Sequence, residues 1–256
     1  RKPRTRSLKA DLVTQMRREH EVKLGMSYSA YDLIYNELQQ PYVPYTLGFD
    51  GGPFPFRGAI RDFYRQTPKT GAFYLVDKME YGQMVAQVGF RYEYFVQSSN
   101  AATTDTARAD SIGVEDYRDK FAPRLAFSYP ISDKAKIFFN YGHFYQLPSL
   151  NFMYRRSTQL GSVTGTIGNV NLDFVKTIKY EFGVQYLLSS EYLLSVQGFY
   201  SDDFGRVSES EQQGRSTTQQ RNFYENSDYS RTRGLEVELD KKYGNYVSGS
   251  ATYNFS

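Results

Sequence analysis

Strict alternation of apolar and polar residues, sustained far beyond the length of an ordinary strand, is the feature that most limits how this chain folds. From Met84 the even positions read Met84, Ala86, Val88, Phe90, Tyr92, Tyr94 and Val96, while the odd ones include Gln87, Gly89, Arg91, Glu93 and Gln97. Ile178, Tyr180, Phe182, Val184, Tyr186 and Leu188 alternate in the same way with Lys179, Glu181, Gly183 and Gln185. The pattern recurs from Leu8 to Leu12, from Val22 to Ala30 and from Val247 to Phe255. Successive side chains of a strand point to opposite faces, so each run makes a ribbon with one greasy and one wet side. Strands of soluble domains average about 5–6 residues, whereas a strand that crosses a bilayer needs about 9–11. These runs have the second length.

Composition by itself points the other way. The 256 residues are 40% hydrophobic, and no apolar run approaches the ~20 residues of a membrane-spanning helix. That excludes a helical membrane protein but leaves a barrel open, because alternation dilutes the apolar signal to half. The chain has 24 Tyr and 19 Phe and no Trp. Tyrosine suits the boundary between lipid and water, although an aromatic-rich soluble β-protein has the same composition. The absence of Cys removes disulfides, thiolate metal sites and cysteine nucleophiles together. A net charge of +3 is too mild to imply nucleic acid, and Arg1, Lys2, Arg4 and Arg6 read as a solvated loop end. There is no initiator Met and no signal-peptide pattern, which is expected of a processed or truncated chain.

The connections alternate as well. Tight polar turns are expected at Arg17 to His20, Glu80 to Gly82, Ile131 to Lys134, Ser189 to Glu191 and Lys242 to Asn245. Long irregular segments are expected at 35–70, 98–119, 146–176 and 206–230. Short connections at one end and long ones at the other mark an outer-membrane barrel. The spacing predicts five hairpins, with strands near 6–16, 21–34, 71–79, 83–97, 120–130, 135–145, 176–188, 192–206, 230–241 and 246–256. The fold expected is all-β, a transmembrane antiparallel β-barrel in which the lipid bilayer is the partner of the apolar face. Arg91, Glu93, Arg124, Lys179, Glu181, Glu236 and Glu238 would line the polar wall of the lumen. A slip of one residue would exchange the faces, so the same pattern sets the pairing.

From about Gly71 the order of motifs resembles the barrel of TonB-dependent receptors. The resemblance rests on Lys120-Phe121-Ala122-Pro123-Arg124-Leu125, on the turn Pro130-Ile131-Ser132-Asp133-Lys134, and on Tyr141-Gly142-His143-Phe144-Tyr145-Gln146-Leu147-Pro148-Ser149-Leu150. It continues through Gly168-Asn169-Val170-Asn171-Leu172, the strand from Thr177 to Val184, and Arg233-Gly234-Leu235-Glu236-Val237-Glu238. The sequence departs from the family in having Val170 where Pro is usual, and Asp173-Phe174-Val175 in place of a Lys-Pro-Glu-like element. The resemblance implies that residues 1–256 are a partial barrel domain, about ten strands from the middle of about 22, without the plug domain that such receptors carry. It further implies a bacterial outer-membrane location and energised uptake of a scarce bulky nutrient, a siderophore, glycan or peptide. The TonB system would act through the absent plug, and a surface lipoprotein lid or a larger envelope complex is a further expected partner. Nucleic acid is not.

No catalytic constellation, metal site or cofactor site is expected. His20 falls in a short turn and His143 near an outer strand end, too far apart to act together. Asp50-Gly51-Gly52-Pro53 is a turn signal, since no helix follows it. Asp105, Asp110, Glu115 and Asp116 lack calcium-loop spacing and read as a solvated loop. Ligand contacts are expected instead from the long loops. Phe54 and Phe56 lie in the first, among Tyr42, Tyr45, Phe49, Phe63 and Tyr64; Tyr154, Arg155 and Arg156 lie in the third, beside Phe152 and Met153. Aromatic rings stack on a ligand and arginines pair with its carboxylates. The competing reading is that these rings pack the loops against one another. At the level of the whole protein, a non-transporting structural or partner-binding barrel, an open diffusion porin and a soluble β-sandwich or lectin are the alternatives.

Overall fold

A computed structural model describes residues 3–39, 60–98, 117–155, 158–159, 166–213, 220–242 and 246–256. Ten long antiparallel strands dominate it: β1 (Arg4–Arg17), β2 (His20–Gln39), β4 (Lys69–Tyr81), β5 (Met84–Val96), β6 (Tyr117–Ser132), β7 (Ala135–Gln146), β10 (Val175–Leu187), β11 (Tyr192–Gln213), β12 (Gln220–Lys241) and β13 (Gly249–Phe255). Shorter pieces are β3 (Ile60–Gln66), β8 (Thr158–Gln159) and β9 (Thr166–Ile167), and one helix, α1 (Leu150–Tyr154), follows β7. Long strands pair with their neighbours in chain order, from β13 through β12, β11, β10, β7, β6, β5 and β4 to β2 and β1. The expected meander of hairpins is the observed one.

The register separates two faces along every strand. On one face Leu24 stands opposite Leu12 and Leu75, and Leu75 opposite Phe90. The same row carries on through Phe127 opposite Phe139, Phe182 opposite Phe139, and Val196 opposite Val237. These residues stay uncovered by protein: Phe121 and Phe182 are each 56% exposed. Tyrosines bracket the apolar band. Tyr81, Tyr129, Tyr186 and Tyr192 lie near the short turns, and Tyr28, Tyr92, Tyr141, Tyr180 and Tyr200 lie further along the same face, toward the ends that carry the long connections. An apolar band between two aromatic girdles is the profile of a lipid-facing barrel wall. The opposite face carries Lys23, Arg91, Arg124, Asn140, Lys179 and Glu181, which line one shared concavity.

The turn ends are laced together. Gly82, with a φ of 62°, supplies the left-handed residue of the β4–β5 hairpin turn. The Glu80, Leu187 and Lys242 amides donate to the Glu19, Lys134 and Glu191 carbonyls of the adjacent hairpins, at 2.8, 2.7 and 2.7 Å. His20 is not free in its turn: its Nδ1 lies 2.8 Å from Asp77 Oδ2 and its Nε2 2.9 Å from the Tyr81 hydroxyl. Asp77 stands opposite Val22 and Val88 on the apolar face, where a carboxylate is costly unless paired. His20 provides that partner.

Two expected irregular segments differ from the structure. Residues 206–230 are mostly strand, because β11 and β12 run on as a paired ribbon from Arg206 opposite Asp228 to Gln213 opposite Gln220. Beyond the bilayer a strand needs no greasy face, so its alternation disappears while its ladder continues. In the first segment β2 extends to Gln39 and pairs with β3, which Thr67 and Pro68 separate from β4. Proline has no amide for a ladder; here its carbonyl instead accepts from the Tyr31 amide at 3.0 Å.

The two-faced wall makes a direct prediction for Phe90, which packs 5.2 Å from Phe121 on the apolar face, one pleat inside the outer tyrosine Tyr92. Replacing Phe90 by Arg should destabilise the inserted protein by about 1–3 kcal/mol, between the midplane and interface costs of a lipid-facing arginine, whereas Gln87→Arg on the wet face should change it by less than about 0.5 kcal/mol. Denaturant unfolding in lipid vesicles measures both.

Candidate functional site

At the ends of the strands opposite the short turns, the segment after β7 folds against the polar face. Pro148 cannot extend the ladder, and Ser149 starts α1 by accepting the Asn151 amide on its hydroxyl. The chain then returns along the helix: the Gly168 amide donates to the Arg155 carbonyl at 2.8 Å, and the Asn169 amide to the Phe152 carbonyl at 2.9 Å. A Cβ on Gly168 would lie 2.7 Å from the Met153 carbonyl oxygen, so this approach requires glycine.

An apolar nucleus forms underneath. Met153, Tyr154, Leu172 and Phe95 are wholly buried, with Tyr64, Phe174 and Tyr224 around them. Tyr64 stacks on Tyr35 at 5.2 Å, and Phe152 lies 4.7 Å from the Tyr224 ring. Each large side chain so buried stabilises the cluster by roughly 1.5–3 kcal/mol.

A buried polar network holds the irregular backbone that the nucleus leaves without a ladder. Arg118, 2% exposed, donates to the Leu172 carbonyl at 3.0 Å and to the Val170 carbonyl at 2.7 Å. Its guanidinium also lies 5.7 Å from the Phe95 ring centre. Gln97 donates to the Val170 carbonyl at 2.7 Å and accepts the Tyr154 hydroxyl on its Oε1. Asn226 clamps Asp173 from both sides, accepting its amide at 2.7 Å and donating to its carbonyl at 3.1 Å. The Lys120 ammonium lies 2.7 Å from the Asp173 carboxylate. Burial pushes the Tyr154 phenol above its ordinary range.

Below this mouth the polar face encloses a cavity of about 480 Å³, lined by Lys23, Tyr74, Arg91, Arg124, Lys179 and Glu181 among others. Arg91 is paired with Glu93, and Lys179 with Glu181 at 2.5 Å. Asn140 donates to Glu181 at 3.1 Å. Arg124 has no carboxylate within ion-pairing distance among the described residues; its guanidinium lies over the Phe144 ring, 4.6 Å from the centre. One cation of the wall is therefore available to an acidic group brought into the lumen.

Of the residues expected in the wall, the cavity gathers Arg91, Arg124, Lys179 and Glu181, with Glu93 attached through Arg91. Glu236 and Glu238 stand on the same face, opposite Gln197 and Ser195, but outside that cavity. Of the expected ligand contacts, Tyr154 lies inside the nucleus, where it supports the mouth and offers no surface. Arg155 is half-buried at the end of α1. Arg156, Phe54 and Phe56, like Asp105, Asp110, Glu115 and Asp116, lie outside the described residues. Sequence reasoning missed Arg118, Gln97 and Asn226 as anchors, although Gln97 continues the polar phase of β5.

The chain matches the family model described as TonB dependent receptor-like, beta-barrel, over residues 4–256. It therefore belongs to that family, whose members reside in the bacterial outer membrane. No curated protein sequence matches it. Among solved structures it is similar to the ferric enterobactin receptor of Pseudomonas aeruginosa, at 14% identity and a TM-score of 0.67, covering 99% of this chain and 36% of that one. The copper transporter OprC is similar at 11% identity and a TM-score of 0.61, covering 98% and 38%. The hemophore receptor HasR of Serratia marcescens is similar at 13% identity and a TM-score of 0.58, covering 94% and 40%. The chain thus spans little more than a third of the length of these receptors.

Two outcomes follow for the mouth. Arg118→Met removes both donors to the Val170 and Leu172 carbonyls, and amide hydrogen exchange from Asn169 to Phe174 should accelerate at least about tenfold, corresponding to about 1.4 kcal/mol or more, with the strand amides unchanged. Tyr154 is neutral in the folded mouth and its pKa is raised there, so its contribution is complete below the unfolded value of about 10 and is lost as pH rises beyond it. Protection of the same amides, taken relative to the hydroxide-catalysed intrinsic rate, should fall above about pH 10, and Tyr154→Phe should remove that alkaline loss of protection.

Proposed function

We propose that the full-length protein imports a scarce, bulky nutrient across the outer membrane, energised through TonB, and that this chain supplies part of the barrel wall and mouth. The family match over residues 4–256 is the observation that carries the reading. The mouth supports it physically: a segment pinned by Arg118, Gln97 and Asn226 makes a rigid rim on which exposed loop residues can be presented to a ligand. The wall cavity, with Arg124 uncommitted, suits the acidic groups of a plug domain that carries the coupling to TonB. A surface lipoprotein lid would dock on the outer loops. The role is binding and passage, with no bond made or broken by this chain.

Arg155, at the end of α1, and Arg156, next in the sequence, are the ligand contacts we favour, and a siderophore, glycan or peptide bearing carboxylates is the class of nutrient they fit. Uptake of the labelled nutrient by cells producing the full-length protein should fall to background when TonB is deleted. Replacing Arg155 and Arg156 together by Ala should weaken binding about 10- to 100-fold, the loss expected for charge-assisted hydrogen bonds. Unchanged affinity would remove the two arginines from the site, uptake indifferent to TonB would leave an open diffusion porin as the better reading, and no uptake at all would leave a non-transporting barrel.

A further inference from the structure

Between the mouth segment and the inner side of β2, β4 and β5 lies a second cavity of about 390 Å³, inside the range of about 300–1,000 Å³ typical of small-molecule pockets. Its wall owes nothing to a sheet edge. Ser27 and Ser29 are paired with β1 on one side and β4 on the other, Thr70 and Ala72 with β2 and β5, and Arg91 and Glu93 with β4 and β6. The hollow follows from the register. Ser27 stands opposite Ala72 and Ala72 opposite Glu93, with Ser29 opposite Thr70 one pleat farther out, whereas one pleat toward the short turns the wall carries Tyr74 opposite Arg91.

The two sides of this cavity differ in chemistry. On the wall side the hydroxyl-bearing Ser27, Ser29, Tyr31 and Thr70 stand beside the Arg91–Glu93 ion pair. On the roof side Leu147, Leu150 and Phe174, from the mouth segment, are apolar. Ser29 shares a hydrogen bond with Ser7 at 2.9 Å and Tyr31 one with Thr70 at 3.4 Å, while the Ser27 hydroxyl has no partner among the described residues. A hydroxyl donates one hydrogen bond and can accept two, so even those already bonded to one another keep capacity for a ligand. Arg91 and Glu93 are the only charged lining residues, and together they carry no net charge, yet the guanidinium has further N–H groups and the carboxylate further lone pairs to offer.

An uncharged ligand with hydroxyls along its edge and an apolar face matches both sides at once, and a sugar ring has that construction. We propose that the cavity binds a neutral sugar residue, its hydroxyls held by Ser27, Thr70 and the Arg91–Glu93 pair and its C–H face lying against Leu147, Leu150 and Phe174. The inference rests on the nutrient-import reading and selects the glycan among its substrate classes. A ligand recognised by negative charge would meet no net positive charge here. A peptide held by its main chain would need an unpaired strand, and the backbone of this wall is already committed to the ladder on both sides.

The test applies the full-length protein, purified in a neutral detergent, to an array of neutral oligosaccharides, followed by titration calorimetry with the glycan held most strongly. The native protein should retain at least one neutral glycan. Ser27→Leu, which fills the hollow, and Glu93→Gln, which unbalances the ion pair while keeping its shape, should each weaken that binding at least tenfold. Resistance of the band to unfolding in detergent on electrophoresis reports that each variant is still folded. No glycan held above background by the native protein, or native-like affinity in both folded variants, overturns the proposal. Binding to the pure protein does not require TonB, so failure of the cavity and failure of transport are separable. A glycan bound by the protein but not taken up by cells that have TonB upholds the cavity and sinks transport, and TonB-dependent uptake by a protein that binds no glycan does the reverse.

Discussion

Lipid offers no hydrogen-bond partner, and this constraint governs the rest of the structure. Every amide and carbonyl that crosses must be satisfied inside the protein, which the antiparallel ladder does wherever two described strands adjoin, β1 and β13 each being paired along one edge. The ladder's irregularities respect the boundary. Its register shifts fall between Gln15 and Arg17, between Pro130 and Ser132, and from Phe204 to Ser208. The first two adjoin short turns and the third lies past the outer tyrosines, while the β6–β7 ladder itself ends at Arg124 opposite Gly142, next to Pro123, which has no amide to donate. Bulges are confined to places where solvent or headgroups can meet an unpaired group.

Once the chain leaves the bilayer and turns into the mouth, another rule applies. Backbone there has no ladder, yet it is buried, and its carbonyls still need donors. Arg118 and Gln97 meet this need at Val170 and Leu172, and Asn226 meets it at Asp173. The anchors hold the main chain at both departures from the family's pattern, through the carbonyl of Val170 and both backbone groups of Asp173, and the Asp173 carboxylate adds its own contacts to Lys120 and the Phe174 amide. Side-chain identity matters more at Gly168, where the returning strand touches the helix, and at Phe174, which enters the nucleus.

How much of this was legible depends on which solvent each residue meets. Met84 to Val96 and Ile178 to Leu188 announce their strands because lipid and lumen demand opposite chemistry of adjacent residues. Arg206 to Gln213 is polar in both phases apart from Val207, which packs against the nucleus, so its strand left no mark in the polarity pattern. Ile60 to Gln66 is concealed in another way, since Pro68 ends the pattern that β4 would otherwise have continued. In the mouth the legible fact was an aromatic-rich segment with arginines, and two opposite uses of those rings fit it, packing of the loops and contact with a ligand. Tyr154 is buried because Phe95 and Leu172, far away in sequence, close over it, and no local pattern carries that information. Arg118 resembles any lumen arginine until the segment it holds is seen beside it.

Charge adds to hydrophobicity in fixing the register, most visibly on β12. Glu236 and Glu238 occupy its inward phase, opposite Gln197 and Ser195, while Arg231 and Arg233 occupy its outward phase, opposite Asp202 and Tyr200. A slip by one residue would turn Leu235, Val237 and Leu239 into the lumen and both glutamates into hydrocarbon, and would separate Arg231 from Asp202. The two signs of charge also differ in depth: the carboxylates lie level with the apolar band, where only the wet face tolerates them, and the guanidiniums lie at its outer edge, where the Tyr200 and Tyr229 rings and Asp202 receive Arg231. Faces and depth together leave β12 a single low-energy placement. Its position in turn sets Tyr224 and Asn226, on the same strand beyond the bilayer, at the height where the mouth segment needs them.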